Sequence, residues 1–174
     1  MMETNDIFST HHMNQLEKLC DDENLRENAW FVTLRHRKWR NVVHQSDQFG
    51  FGMKYKEHIT DTLIPTNWNY FRNILNSCLF GNNAKKHGKY FQHITVQHMP
   101  IDNRFLSHIH SIIWKPAHIT VDVFRKLILH SWSKTHWGVV GQKKQMFNIQ
   151  KVYSSGVIRY GFRDEPYFDS LPLL

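Results

Sequence analysis

The sequence predicts an α+β domain with a mostly antiparallel central sheet of about five strands and flanking helices. Runs of β-branched and aromatic residues, which favour strands, alternate along the 174-residue chain with segments in which apolar residues recur at helical spacing. Predicted strands that follow one another through a short loop favour antiparallel pairs, with helices packed on one side of the sheet. A chain of this length can bury one core without disulfides or metals.

The first 28 residues form an N-terminal extension that contains one predicted helix. This helix starts within residues 13–20, because Leu16, Leu19 and Cys20 fall on one helical face. The main domain is predicted over residues 29–166. Residues 167–174 form a short tail to which no element is assigned.

The first half of the main domain contains one clear strand and one clear helix. Residues 29–35 (AWFVTLR) are β-branched and aromatic and predict a strand. Residues 44–65 have no clear period and predict a loop with at most a short strand. Thr66, directly after Pro65, is the predicted N-cap of a helix that ends at Gly81.

The second half of the main domain alternates strands with two helices. Thr120 is the predicted N-cap of the first helix, with Val121 among the residues that face inward, and Pro166 stops the second. The predicted strands cover residues 90–98, 107–114, 137–140 and 146–152, and the helices cover residues 121–133 and 157–165.

The charge balance points to a polyanionic partner. The chain carries 22 basic and 15 acidic side chains and a net charge of +7, and nucleic acid is the commonest partner of such domains. Residues 35–40 (RHRKWR) place a tryptophan within a basic run, a pattern suited to phosphate contact and base stacking, although it also suits a solvated strand end. The candidate nucleic-acid-binding residues are Arg35, Arg37, Lys38, Trp39 and Arg40.

Cysteine usage and hydropathy indicate a soluble protein of the cytoplasm. The two cysteines, Cys20 and Cys78, provide neither a disulfide framework nor a four-thiolate zinc site, which fits a reducing compartment. No apolar run approaches the ~18 residues of a membrane span, and residues 1–6 lack a signal pattern, so we expect no membrane partner. The chain has no phosphate-binding loop of the Gly-x-x-x-x-Gly-Lys-Ser/Thr type, so we expect no ATP-driven motor within it.

A pair of histidines lies in the predicted strand at residues 107–114 (SHIHSIIW). A strand has a side-chain period of two, so His108 and His110 point to the same face and form a natural pair of metal ligands. With 13 histidines in the chain, a His-x-His pair at this spacing also arises by chance about once, so the pair by itself does not establish a metal site.

Three short motifs, in this order, resemble those of the HUH endonuclease superfamily. They are an apolar strand around Thr33 (residues 30–34, WFVTL), the His108-Ile109-His110 strand, and a tyrosine in a helix-like segment (residues 160–165, YGFRDE). This superfamily includes the rolling-circle replication initiators of small plasmids and single-stranded DNA viruses, the relaxases and the HUH-type transposases. The resemblance extends over residues 29–166 and implies an HUH-like nuclease fold.

The resemblance implies a metal-dependent endonuclease that nicks and rejoins single-stranded DNA. Tyr160 would be the nucleophile that forms a 5′-phosphotyrosine, and Arg163, where the family often has lysine, would contact phosphate. His108 and His110 would bind a divalent metal, Mg²⁺ or Mn²⁺. The implied partners are single-stranded DNA at an origin or hairpin and a host helicase, with the host-cell interior as the location if the protein is viral.

The third metal ligand and the nucleophile each have alternatives. No glutamate lies between residues 90 and 107, and Gln97 aligns best with the expected ligand, with His98 and Asp164 as the other candidates. Tyr153 is the rival nucleophile, seven residues before Tyr160.

Other functions remain open at the level of sequence. A transposase or a relaxase would carry the same motifs. A non-catalytic basic nucleic-acid-binding domain would have the same composition. Two His-x-Thr patterns, at His93 and His118, also suggest a 2H-type phosphoesterase in which two histidines act on a phosphate without metal.

Overall fold

The structure is a computed structural model that describes residues 16, 18, 21–44, 53–98, 107–140, 147–162 and 168–171. Helices and strands are interspersed along the chain, as predicted for an α+β domain. In chain order, they are α1 (Glu23–Arg26), β1 (Ala29–Arg35), β2 (Trp39–His44), β3 (Met53–His58), α2 (Leu63–Phe80), α3 (Asn82–His87), β4 (His93–His98), β5 (His108–Trp114), α4 (Val121–Ser133), β6 (Phe147–Lys151), α5 (Ser155–Phe162) and β7 (Phe168–Leu171).

The central sheet has five strands in the order β6-β1-β5-β4-β7, and every neighbouring pair is antiparallel. The predicted α+β class with a mostly antiparallel five-stranded sheet is therefore confirmed. Strands β2 and β3 form a separate two-stranded antiparallel sheet, which we call the ribbon.

Helices cover both faces of the central sheet, which contradicts the expectation that they lie on one side. On one face, α2 and α4 bury a large apolar cluster that includes Trp68, Phe71 and Trp132. On the other face, α5 contributes Ile158 and Phe162 to a smaller cluster. The reason is that the inner strands are apolar on both faces, and each face must be removed from water.

Two segments outside the predicted main domain contribute to it. Leu16 is buried in the smaller cluster, so the N-terminal extension contacts the sheet. Strand β7, which lies within the predicted tail, pairs with β4 at the sheet edge. The sequence assigns no element to this segment, because a four-residue edge strand is too short to show a hydrophobic period.

Three details of the predicted elements need correction. Helix α2 begins at Leu63, three residues before the predicted cap, because Pro65 falls in the first turn, where its missing N–H is not needed. Val121 is exposed rather than inward. The predicted strand at residues 137–140 is a single bridge between Gly138 and His36.

The Thr120 cap is confirmed, since its hydroxyl accepts a hydrogen bond from the Val123 N–H at 3.4 Å. Among the described residues, no helix is both long and apolar enough to span a membrane.

A buried histidine at the end of β1 makes stability depend on pH. Burial lowers the pKa of His36 from 6.5 to about 3, because its ring is enclosed against Trp132. The folded state therefore keeps His36 neutral, whereas the unfolded chain binds a proton below pH 6.5. Stability is complete above that pH and declines as the pH falls toward 3, by up to about 1.4 kcal/mol per pH unit from this residue.

Chemical denaturation in EDTA at pH 7.5, 6.5 and 5.5 measures this dependence. His36→Gln, which does not titrate, is expected to show a shallower decline than the wild type below pH 6.5. Equal slopes for the two proteins would contradict the assignment.

Candidate metal centre and its cleft

Strand register brings a third histidine to the predicted pair. In the antiparallel pair β4–β5, His98 lies directly opposite His108, and Gln97 lies opposite Ile109. Residues opposite one another share a face of the sheet, so His98 joins His108 and His110 while Gln97 points to the other face. The choice of Gln97 as the third ligand is therefore wrong, because its side chain cannot reach an ion held by the other two residues.

We call His98, His108 and His110 the histidine trio. Their ring centroids are 4.8 Å (His98–His108), 4.5 Å (His98–His110) and 4.8 Å (His108–His110) apart. One ring nitrogen from each residue can be chosen so that all three lie within 4.8 Å of one another. Nitrogens that share an ion at about 2.1 Å are at most about 4.2 Å apart, so inward shifts below about 1 Å would let the trio hold one ion.

Hydrogen bonds hold two of the three rings in place. The Thr33 hydroxyl, from the neighbouring strand β1, lies 3.0 Å from Nδ1 of His110. Nε2 of His98 lies 3.0 Å from the carbonyl oxygen of Gly161 in α5 and donates to it. Such contacts to one ring nitrogen fix the ring and leave the other nitrogen for a metal.

The electrostatics of the site keep the imidazole of His110 neutral, which is the form that binds a metal ion. Burial, followed by the charges of His108, His98 and Arg35, lowers the pKa of His110 from 6.5 to about 3. At neutral pH, His110 is therefore unprotonated, and the lone pair that a metal needs is available. Protonated imidazoles this close together repel one another. The three histidines are therefore better suited to bind one shared metal cation than to carry one proton each.

Close packing by a glycine sets the position of α5. The Phe31 ring stacks on His110 with centroids 5.1 Å apart. Gly161 packs against the Cε2 and Cζ atoms of the same Phe31 ring. A Cβ at Gly161 would be 2.3 Å from Phe31 Cε2, so only glycine permits this approach. The approach brings the Gly161 carbonyl to His98.

Gly161→Ala is therefore expected to destabilise the protein by about 1–3 kcal/mol, because α5 must move off the sheet. Gly156→Ala in the same helix is the matched control, since a Cβ there meets nothing closer than 3.6 Å and alanine favours a helix. Thermal unfolding of both variants checks the prediction. Equal melting temperatures would contradict the packing argument.

A cleft of about 690 Å³ adjoins two residues of the trio. It lies between the sheet face and the segment that leads into α5. Tyr160 and Tyr153 are 62% and 72% exposed as whole residues, and both line the cleft. The lining residues that carry polar or ionisable groups are Thr33, Arg35, His108, His110, Asn148, Gln150, Tyr153, Ser154 and Tyr160.

The structure thus brings together the predicted ligands His108 and His110 and the predicted nucleophile Tyr160. Helix α5 begins at Ser155, so Tyr153 precedes it, yet Tyr153 reaches the same cleft. The predictions for Arg163 and Asp164 lie outside the described residues.

The predicted basic run does not form one surface. Arg35 lines the cleft, but Arg37 donates from Nη2 to the Gly138 carbonyl at 2.8 Å. Arg40 is paired with Glu57 at 2.6 Å. Lys38 and Trp39 remain exposed. Of the five predicted residues, Arg37 and Arg40 therefore serve to hold the protein's own chain together.

The phosphoesterase alternative is not supported by the positions of its two histidines. His93 is completely buried on the face opposite the trio, with its ring near Trp68 and Phe91, so it cannot contact a substrate. His118 donates from Nε2 to the Leu79 carbonyl at 3.0 Å.

The position of His98, one of the two alternatives to Gln97, carried a partial signal in the sequence. It ends one strand of an antiparallel pair, and His108 begins the next. The ends of such a pair lie near one another, but the long connection leaves the register open, and only the structure sets His98 opposite His108.

Comparisons of the chain with protein-family models, with curated proteins and with solved structures found no match. The function is therefore inferred from the chemistry of the cleft and from the motifs.

Proposed function

We propose that the protein is a metal-dependent single-stranded DNA endonuclease and strand transferase. It would nick a replication origin through a 5′-phosphotyrosine on Tyr160, rejoin strands and so initiate rolling-circle replication. The observation that carries the proposal is the cleft, which joins ligands of a three-imidazole site to an exposed phenol. A nucleophile beside a cation site is an arrangement that can support phosphodiester transesterification.

The donor set decides between the two expected metals. Mg²⁺ prefers oxygen ligands and octahedral geometry, whereas imidazole suits softer divalent ions. We therefore favour Mn²⁺ over Mg²⁺ for His98, His108 and His110. When bound, the ion would supply a Lewis acid that polarises the phosphoryl oxygens.

The side chains of the cleft would carry out the remaining steps. Arg35, paired in register with His108, would hold the phosphate through its guanidinium. The Tyr160 oxygen would attack phosphorus and release its proton to solvent. As the Oη–P bond forms, the P–O3′ bond breaks, and the leaving 3′ oxygen takes a proton from water. Attack by a 3′-hydroxyl on the phosphotyrosine reverses the step and joins strands.

The substrate and partners follow from charge and from the motifs. The net charge of +7 supports binding of nucleic acid. The resemblance of the three motifs to HUH endonucleases supports single-stranded DNA at an origin or hairpin. A host helicase is the further partner that the same resemblance implies.

Incubation with a pool of 3′-labelled, randomised single-stranded DNA tests the proposal, because the label stays on the strand that Tyr160 captures. We expect a labelled protein band on a denaturing gel with Mn²⁺, a weaker band with Mg²⁺ and none with EDTA. Binding of the pool without a covalent band with Mn²⁺, Mg²⁺, Co²⁺ or Zn²⁺ would overturn the proposal. That result would favour the non-catalytic nucleic-acid-binding domain.

A further inference from the structure

A groove of about 600 Å³ lies at the end of the central sheet away from the trio. The apolar part of its lining includes Phe80, Phe91 and Trp114. Trp114 ends β5, whereas His108 begins that strand, so the two residues lie ~20 Å apart along it. A short segment bound in this groove would therefore leave the cleft open.

Tyr90 connects this groove to a second one. It is 52% exposed and also lines a neighbouring groove of about 560 Å³, together with Asn73 of α2. The backbone on both sides of Tyr90 is held in place. Gly88 ends α3 in the left-handed conformation with a φ of 59°, and the Phe91 N–H donates to Oδ1 of Asn76 at 3.0 Å. The exposed ring of Tyr90 thus has a fixed position between two depressions.

The two grooves are basic. Lys89 and Lys115 line the larger groove, and Lys85 lines the second. The Lys115 ammonium donates to two backbone carbonyls of its own loop, whereas Lys85 and Lys89 are exposed. Within the described ranges 62–98 and 107–121, the chain has no aspartate or glutamate. This surface therefore attracts a partner that carries negative charge.

The distribution of charge favours an acidic peptide over a nucleic-acid strand. A nucleic-acid strand has a phosphate at every nucleotide and is usually held by a continuous basic channel. Here Lys85 and Lys89 lie in different grooves, separated by the Tyr90 ring and by apolar and amide side chains. An extended peptide advances ~3.3 Å per residue with alternating side chains, so it can direct acidic groups to the lysines and apolar groups to the aromatic rings.

We propose that the two grooves bind a protein partner through an extended segment in which aromatic or large aliphatic residues alternate with aspartate or glutamate. Its apolar side chains would pack on Tyr90 and Trp114, and its carboxylates would pair with Lys85 and Lys89. Because this surface lies at the other end of the sheet from the trio, the partner would remain bound while the cleft is occupied. The inference goes beyond the proposed function and does not depend on it.

Fluorescence anisotropy with a pool of short labelled peptides tests this inference. In the first pool, aromatic and acidic residues alternate. Two comparison pools replace the aromatic residues with serine or the acidic residues with glutamine. The wild type is expected to bind the first pool at least about tenfold more tightly than either comparison pool. Equal binding of the first pool and the serine pool would show attraction by charge alone and would overturn the inference.

Variants of the grooves locate the binding site. Tyr90→Ala is expected to weaken binding of the first pool about tenfold, whereas Tyr90→Phe should retain it, because the ring provides the contact. The matched control is Tyr70→Ala, which removes a tyrosine of α2 that is 45% exposed and lies outside both grooves.

Lys89→Glu should also weaken binding of the first pool, since it reverses a charge in the larger groove. Its matched control, Lys126→Glu, changes an exposed lysine of α4. Both controls should alter the affinity less than about twofold. Unchanged affinity in Tyr90→Ala and Lys89→Glu, or equal losses in the controls, would contradict the site.

Competition with randomised single-stranded DNA separates the peptide from nucleic acid as the occupant. In EDTA, the first pool should stay bound when this DNA is added, and Tyr90→Ala should bind the DNA as the wild type does. If DNA displaces the peptides and Tyr90→Ala binds DNA more weakly, the grooves bind nucleic acid and the inference is wrong. Peptide binding without a covalent DNA band under Mn²⁺ would instead refute the proposed function and leave the peptide site in place.

Discussion

Tyr160→Phe is expected to abolish the covalent protein–DNA adduct and to lower the nicking rate on the order of 10³-fold or more, because the variant lacks the attacking oxygen. Binding of single-stranded DNA should change less than about twofold, since the ring stays in place and only one hydroxyl is lost. The measurement is the rate of formation of the labelled protein band with Mn²⁺, together with the dissociation constant in EDTA.

Tyr153→Phe is the matched control, because Tyr153 lines the same cleft and is at least as exposed. It should retain the adduct. If the adduct instead persists in Tyr160→Phe and disappears in Tyr153→Phe, the nucleophile is Tyr153. An adduct in both single variants would show that neither tyrosine alone is required.

His98→Ala is expected to weaken Mn²⁺ binding on the order of 100-fold or more, because it removes one of three nitrogen donors. Gln97→Met is the matched control. It changes the adjacent residue on the opposite face of the sheet and should leave metal affinity unchanged. Isothermal titration gives the affinities, and the rise in melting temperature on adding metal gives an independent readout.

The same titrations test the choice of metal. Wild-type protein should bind Mn²⁺, Co²⁺ or Zn²⁺ more tightly than Mg²⁺, as three imidazoles require. Equal losses of Mn²⁺ affinity in the two variants would contradict the trio. So would unchanged melting temperatures of the wild type with all four ions.

Several features of the fold could be predicted because they depend on short stretches of chain. The strand at residues 29–35 and the helix capped by Thr120 each carry their own signal, in β-branched composition and in a cap followed by helical periodicity. The pairing of His108 and His110 on one face is equally local, since it follows from the pleat of a single strand.

The features that could not be predicted depend on neighbours distant in sequence. Strand β7 is stabilised by its pairing with β4, and its own four residues carry no distinguishing pattern. Arg40 looked available for phosphate in sequence, but folding places Glu57 and Trp137 beside it. The ribbon face mixes residues of two strands, and their register fixes which side chains become neighbours.

For this protein, the sequence by itself determined the α+β class, the basic charge, and the candidate residues His108, His110 and Tyr160. The tertiary structure alone decided that His98, and not Gln97, completes the trio, and that the tyrosine and two of the histidines share a cleft. The physical reason is that backbone periodicity fixes the direction of a side chain within its own strand or helix. The distance between side chains on different elements is fixed by register and by close packing, as where Gly161 rests against Phe31 and brings α5 to the sheet.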